Sequence, residues 1–481
     1  MTLRRWLIVG VVTALASAWA GVGVSQDRPR TPKRSVLPAQ PASPARLQLT
    51  EQEIQSFVAE VVPRIEQILG RKFKSIPPIV VDDAEAVARI FAGDLEPTFR
   101  KENPEISEAE LPKAVLAEAR ERLPEILGKY GLKVKRLGLM PSQLGPTMAQ
   151  HHIDPKHGPG IMRLLIAHEL THALQADYVD VLGLLTRSPT EDATGACTAV
   201  IEGQAMFVQE RVARALKLDA AASQYNKIFS LGGAESDDAD SRDLAVYQEF
   251  VYMAGKRFVE HHYEKGGAER IWEILAHPPL ATSMISRPES YRATLPKRPD
   301  LGKALSAAAG EFAGKWTVQE EDVGEIQLRV IYGNSDRTAF DGFAEGVVAA
   351  RTLSAHAEDG GEGQILLLVL QDGKAAPRAV DFLSQSIAQE LKVESQDGSV
   401  RVKESGETQY ADVRCDASRS HTLVLVDAKG QNVLDKRVVL AARGSVVLQL
   451  TTADYLIPKA RLAKLIEGIL QAAREAVAAS K

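Results

Sequence analysis

The sequence predicts an α+β protein, with a mainly helical first part to about residue 310 followed by a β-containing C-terminal region. Two observations carry this. Apolar residues recur at helical spacing through most of the chain before residue 310. After it, short β-branched runs separated by Asp-Gly and Lys-Gly turns take over.

Taken in order, residues 1–20 read as a removable secretory signal. Arg4 and Arg5 precede a mostly apolar run from Trp6 to Ala18, and Ala18-Trp19-Ala20 is a small-x-small cleavage site. The run is short for a spanning helix and no Cys follows at a lipoprotein-like position. No stable membrane span is therefore expected after cleavage, and the mature chain is placed outside the cytoplasm, secreted or periplasmic. Retention of the segment as an anchor is the lesser reading. Losing Arg4 and Arg5 takes the formal charge from -5 to -7, and this acidity argues against a nucleic-acid partner. Residues 21–48, rich in Pro, Arg, Ser and Ala without periodicity, form a disordered linker.

Folded structure is expected from Thr50. Thr50 and Glu53 make a capping box, and Ile54, Phe57, Val58, Val61, Ile65, Ile68 and Leu69 continue an amphipathic helix with a kink at Pro63. A strand over 78–81, helices over 84–91 and 109–130, and a strand over 133–140 complete the approach to the central stretch.

That stretch runs from Leu164 to Gln175 and contains His168-Glu169-Leu170-Thr171-His172. Two histidines four apart on a helix project from one face toward a common point, a geometry suited to one zinc ion (Zn2+). Glu169, one residue after the first ligand, points beside the metal, where a carboxylate takes a proton from a zinc-bound water. The helix is punctuated at its start by Gly158-Pro159-Gly160 and is apolar on more than one face, as burial requires. Further on, Glu202 lies in a second helix among Thr198, Ala199, Ala205 and Met206. A carboxylate in that apolar setting is costly without a positive partner, and a metal would supply one. Gly203 beside it permits close approach of this helix and the motif helix.

These motifs resemble the gluzincin class of zinc metallopeptidases, in which His-Glu-x-x-His on one helix is completed by a Glu on a following helix. The chain is similar to secreted bacterial members with His-Glu-Leu-x-His-Ala-Leu-Gln, here His168 to Gln175, and Glu-Gly-x-Ala, here Glu202 to Ala205. Tyr252, Gly255, Phe258, Val259, Gly266-Gly267, Pro278-Pro279 and Arg287-Pro288-Glu289-Ser290-Tyr291 extend the likeness, which covers about residues 160–292. The resemblance implies a zincin-like catalytic domain that hydrolyses peptide bonds in a peptide or protein substrate. It implies His168, His172 and Glu202 as ligands, Glu169 as the base, and an edge strand that pairs with extended substrate from somewhere within 133–154. Two positions depart from the pattern. Arg287 stands where relatives carry His, and Met206 stands where thermolysin-like enzymes place an Asp, so the side chain that hydrogen-bonds the far nitrogens of the histidines is unidentified.

An oxyanion donor is also needed, and Tyr252, His261, His262, Tyr263 and His277 are the candidates. None is privileged by spacing, and Tyr252 is preferred because it falls in the stretch that resembles the family. His151, His152 and His157 read as water-facing loop residues before the metal helix. Cys197 reads as a buried small side chain, and its pairing with Cys415 cannot be decided from two distant cysteines. Residues 211–310 read as mostly helical, with an exposed loop at Gly232-Gly233 and the acidic run after it.

The domains are thus drawn as 49–310 for the metallopeptidase-like part, 311–455 for a mixed C-terminal region and 456–481 for an amphipathic helix. Strands are expected at 324–333, 364–371, 400–403, 422–427 and 438–450, with a helix over 379–391. Composition sets neither oligomeric state nor substrate. Two other functions stay open: a catalytically silent extracytoplasmic binding or scaffold protein, and a zinc-dependent hydrolase of nonpeptide amides.

Overall fold

In a computed structural model the described residues are 49–103, 106–123, 126–228, 239–292, 298–312, 316–333, 337–358, 360–394, 401–408 and 413–480. The signal and linker segments expected over 1–48, and the loop at Gly232-Gly233, lie outside them. The chain is α+β and divides into two units, Met1–Ala293 and Thr294–Lys481. Among the described residues no helix is long and apolar enough to cross a membrane.

In the first unit, helix α1 (Glu51–Leu69) begins on the expected capping box. The Thr50 N–H donates to Glu53 Oε2 at 2.8 Å and the Glu53 N–H to Thr50 Oγ1 at 3.2 Å. The helix continues through Pro63 to Gly70, whose positive φ of 65° turns the chain out. Strand β1 (Ile79–Val81) and helices α2 (Ala84–Glu102) and α3 (Leu111–Glu121) follow. The helix expected over 109–130 is thus shorter than its apolar pattern. It stops ahead of Pro124, whose ring cannot continue it, and Tyr130 lies in strand β2 (Gly128–Gly131).

Strand β3 (Arg136–Leu139) is the centre of a three-stranded sheet, parallel to β1 and antiparallel to β2. Its ladder is in phase with Met140 N–H donating to Leu127 C=O on one side and Leu137 N–H to Pro78 C=O on the other. By alternation, the backbone N–H and C=O of Gly128 and Tyr130 point away from β3, out of the edge of the sheet. This corrects the expectation that the edge strand lies within 133–154: that window supplies the central strand, and β2 precedes it.

After α4 (Pro141–Gln150), helix α5 (Gly158–Tyr178) is buried along most of its length, as is α7 (Glu191–Ala215), which follows the short α6 (Val181–Thr186). These two helices form the middle of the unit. Helices α8 (Asp219–Ile228) and α9 (Ala239–Gln248) lead to a π-helical turn, Glu249–Ala254. Helix α10 (Gly255–Ala276) is broken at Gly266-Gly267, and α11 (Thr282–Ser286) completes the unit.

The second unit starts before residue 310. Leu301, Leu305, Ala308 and Phe312 are buried in its core, so α12 (Gly302–Ala309) packs there and not with the helical part. Its sheet has the order β4-β5-β6-β10-β9-β8-β7, antiparallel throughout. The strands are β4 (Trp316–Asp322), β5 (Val347–Ala357), β6 (Glu362–Leu370), β7 (Arg401–Thr408), β8 (Ala417–Val426), β9 (Asn432–Arg443) and β10 (Val446–Ala453). Ile365, Leu367 and Val369 of β6 meet α12 and the last helix, α16 (Lys459–Ser480). Leu366, Leu368 and Leu370 meet α13 (Glu325–Tyr332), α14 (Arg337–Gly346) and α15 (Ala376–Glu394) on the opposite face. Burial on both faces explains why β6 reads as an unbroken apolar run.

Two sequence expectations change here. The stretch expected as a strand over 324–333 is helix α13, opened by the Gly324 N–H donating to Gln327 Oε1 at 2.9 Å. Its β-branched residues fit a half-buried surface in either state, and the local cap decides. The run over 438–450 is two strands joined at Gly444, whose φ of 62° makes the turn.

Candidate metal centre

Helix α5 brings His168, Glu169 and His172 into the interior, and α7 brings Glu202 to meet them; all four are buried. Gly203 was read as letting α5 and α7 approach, but its bare face meets α10 instead. A Cβ there would lie 2.2 Å from the backbone carbon of Gly255, and one on Gly255 would lie 2.1 Å from the Ala199 carbonyl oxygen. Helices α7 and α10 therefore cross at bare backbone. This contact seats the π-helical turn beside the centre, and the Tyr252 ring lies 6.2 Å from that of His168.

The three expected ligands converge. His168 Nε2 and His172 Nε2 are 3.2 Å apart, and Glu202 Oε2 is 3.1 Å from the first and 3.4 Å from the second. Zinc bonds of about 2.0–2.1 Å in a tetrahedron place neighbouring donor atoms about 3.3–3.4 Å apart, so the triangle fits one face of such a site. Among the described residues this is the group of His, Cys, Asp or Glu side chains placed to share an ion. The donor set, two imidazoles and one carboxylate, leaves a fourth position for water or substrate. The residues present thus fit the metal.

Charge is balanced tightly. Burial raises the pKa of the Glu202 carboxyl, but His172 and His168 more than offset this and hold it well below the usual carboxylate range. Burial lowers the pKa of His172, yet Glu202 and Glu169 raise it on balance. Glu169 is fixed differently. Its Oε2 accepts from the Tyr130 N–H at 2.7 Å, on the outward edge of β2, while its Oε1 is buried without a protein donor.

The partner of His172 is Gln175, whose Oε1 lies 2.9 Å from His172 Nδ1, while His168 Nδ1 has none among the described residues. Gln175 is part of the motif, but its spacing shows only that it shares a face with His172. Tyr225 was missed altogether. It is buried on α8, where burial and then Glu169 and Glu202 push its phenol pKa well above the usual value, so it remains a hydrogen-bond donor. Its one signal, the spacing Ala221, Tyr225, Ile228, is that of an ordinary core stripe.

The other oxyanion candidates have different neighbours. Tyr263 packs on Phe207 and under the Arg211 guanidinium. His262 is enclosed by Phe258, His261 and Tyr291. The His277 carbonyl accepts from Tyr291 Oη at 2.6 Å. Of the preceding histidines, His157 ends a 3-10 turn before α5. Cys197 is buried as expected, burial lifts its pKa to about 12, and both it and Cys415 are free thiols.

No protein-family model matches the chain, and no curated protein does. Among solved structures it is similar to a hydrolase candidate with a novel fold from Chloroflexus aurantiacus, at 17% identity over 52% of this chain and 90% of that one, with a TM-score of 0.33. It is also similar to the extracellular domain of PknH from Mycobacterium tuberculosis, at 12% identity over 37% of this chain and 99% of that one, TM-score 0.23. An uncharacterised protein from Mycobacterium smegmatis gives 12% identity, 37% and 97% coverage and a TM-score of 0.19.

Proposed function

We propose that the first unit is a zincin-like, zinc-dependent hydrolase of peptide bonds that works outside the cytoplasm. The observation that carries the reading is the buried triangle of His168, His172 and Glu202 with Glu169 held beside it. Zinc in that triangle would supply a Lewis acid that polarises a carbonyl and makes water acidic near neutral pH.

The chain's own groups account for the rest. Glu169, anchored through Oε2, has Oε1 free to accept a proton from the attacking water and return it to the leaving nitrogen. On the edge of β2 the Tyr130 N–H is taken by Glu169, and the backbone groups of Gly128 and the Tyr130 carbonyl point away from β3, where an extended peptide would pair beside the base. Tyr252 is near enough to His168 to donate to the oxygen that gains charge, and the buried Tyr225 phenol, which feels the charges of Glu169 and Glu202, is a second donor.

Glu169→Gln is the test. It should keep zinc and lose hydrolysis of a peptide library by about 100- to 10,000-fold. Full hydrolysis by that variant rules Glu169 out as the base, and cleavage confined to nonpeptide amides transfers the reading to another class of amide hydrolase.

A further inference from the structure

One hydrogen-bond chain decides which nitrogen of His172 faces the centre. Gln175 is fully buried, one turn beyond His172 on α5. One end of its amide lies 3.0 Å from the Ile201 carbonyl and 2.8 Å from Gln204 Oε1, and the other lies 2.9 Å from His172 Nδ1. A backbone carbonyl only accepts, so the Gln175 NH2 must be the end turned toward Ile201, and its oxygen the end turned toward His172. That oxygen also only accepts. The hydrogen therefore sits on Nδ1, and the lone pair of Nε2 is left for the triangle it forms with His168 and Glu202. Ile201 immediately precedes Glu202 on α7, so a single amide joins a ligand of one helix to the backbone beside a ligand of the other. His168 has no equivalent support, since its Nδ1 is buried without a partner.

The geometry points to Gln175 as a positioning residue of the metal centre: it fixes His172 in its Nδ1–H tautomer and ties the ring to α7, without adding a charge. This rests on the zinc reading of the triangle. Removing such an outer partner costs about 10- to 100-fold in metal affinity.

Two substitutions in the full chain separate this role from packing. Gln175→Met keeps the volume but offers no acceptor to Nδ1–H. Gln175→Glu keeps the acceptor; as the neutral acid it donates its O–H to the Ile201 carbonyl, and Gln204, whose Nε2 is buried without a partner among the described residues, can rotate its amide to donate to it. Zinc affinity is read by chelator competition. For a positioning residue, Gln175→Met binds zinc about 10- to 100-fold more weakly while Gln175→Glu binds within about tenfold of the parent. For a packing residue the order reverses, because the isosteric apolar side chain is the milder change and the buried ionisable carboxyl the harsher one. Should Gln175→Met fail to fold, the zinc-loaded parent still decides by NMR with 15N-labelled histidine. A His172 Nδ1–H protected from solvent exchange supports the assignment, and one in fast exchange overturns it. A parent that takes up no zinc overturns the zinc reading and this role together, whereas Gln175→Met matching a zinc-binding parent overturns the role alone.

Discussion

Tyr252 and His262 both lie within the stretch 252–291, yet their surroundings set them to different tasks. Tyr252 has its ring beside His168, so Tyr252→Phe should lower kcat by about 100-fold, with KM and zinc content little changed, as expected when one oxyanion donor is lost. Unchanged kcat would move that role to the Tyr225 phenol. His262 is a stability group. Burial first, then His261, Arg270 and Lys265, push its pKa down from 6.5 to about 4. Between those values the unfolded chain binds a proton that the folded chain refuses, so stability falls as pH drops through the window. Denaturation midpoints of His262→Phe at pH 7 and pH 4.5 should therefore differ less than those of the parent, and an equal loss would place the acid sensitivity elsewhere. At this scale the sequence was most readable where chemistry fixes spacing, at His168, Glu169 and His172. Glu202 was readable because a carboxylate among apolar helix neighbours needs a partner. Gln175 and Tyr225 were not, since a glutamine's acceptor and a stripe tyrosine's hydroxyl acquire roles only from residues distant in sequence.

Among elements, the crossing of α7 and α10 most directly shapes the site. Alanine in place of a helical glycine ordinarily gains about 1 kcal/mol in helix propensity. At Gly203 or Gly255 the added Cβ would meet backbone at 2.2 or 2.1 Å, so each variant should instead lose about 1–3 kcal/mol or more in denaturant unfolding. A gain in stability would show that the helices are further apart. Gly203 signalled a close helix approach in the sequence, but toward α5, and its actual partner Gly255 was legible only as a motif residue. The Thr50 cap was also legible, because it acts on near neighbours, whereas the Gly444 turn was read inside a single strand over 438–450. The helix over 325–332 was not. Its alternating Ile326, Leu328, Val330 and Tyr332 match a strand, and tertiary packing with the Gln327 cap overrides that pattern.

For the whole molecule, the α+β class and the change from helices to sheet followed from periodicity, while the division between units did not. Leu301, Leu305 and Ala308 form a helical stripe that could join either core, and only the sheet they cover shows where they belong. The proposed ligands, the proposed base and both tyrosines all lie in Met1–Ala293, so the proposed chemistry belongs to that unit. Metal content of the purified full-length chain, measured beside Glu202→Ala, tests the zinc centre most directly. About one zinc per chain in the parent and sharply weaker retention in the variant are expected of a three-ligand site. A folded parent that holds no zinc after zinc is supplied, or a Glu202→Ala variant that holds it as firmly as the parent, would contradict it.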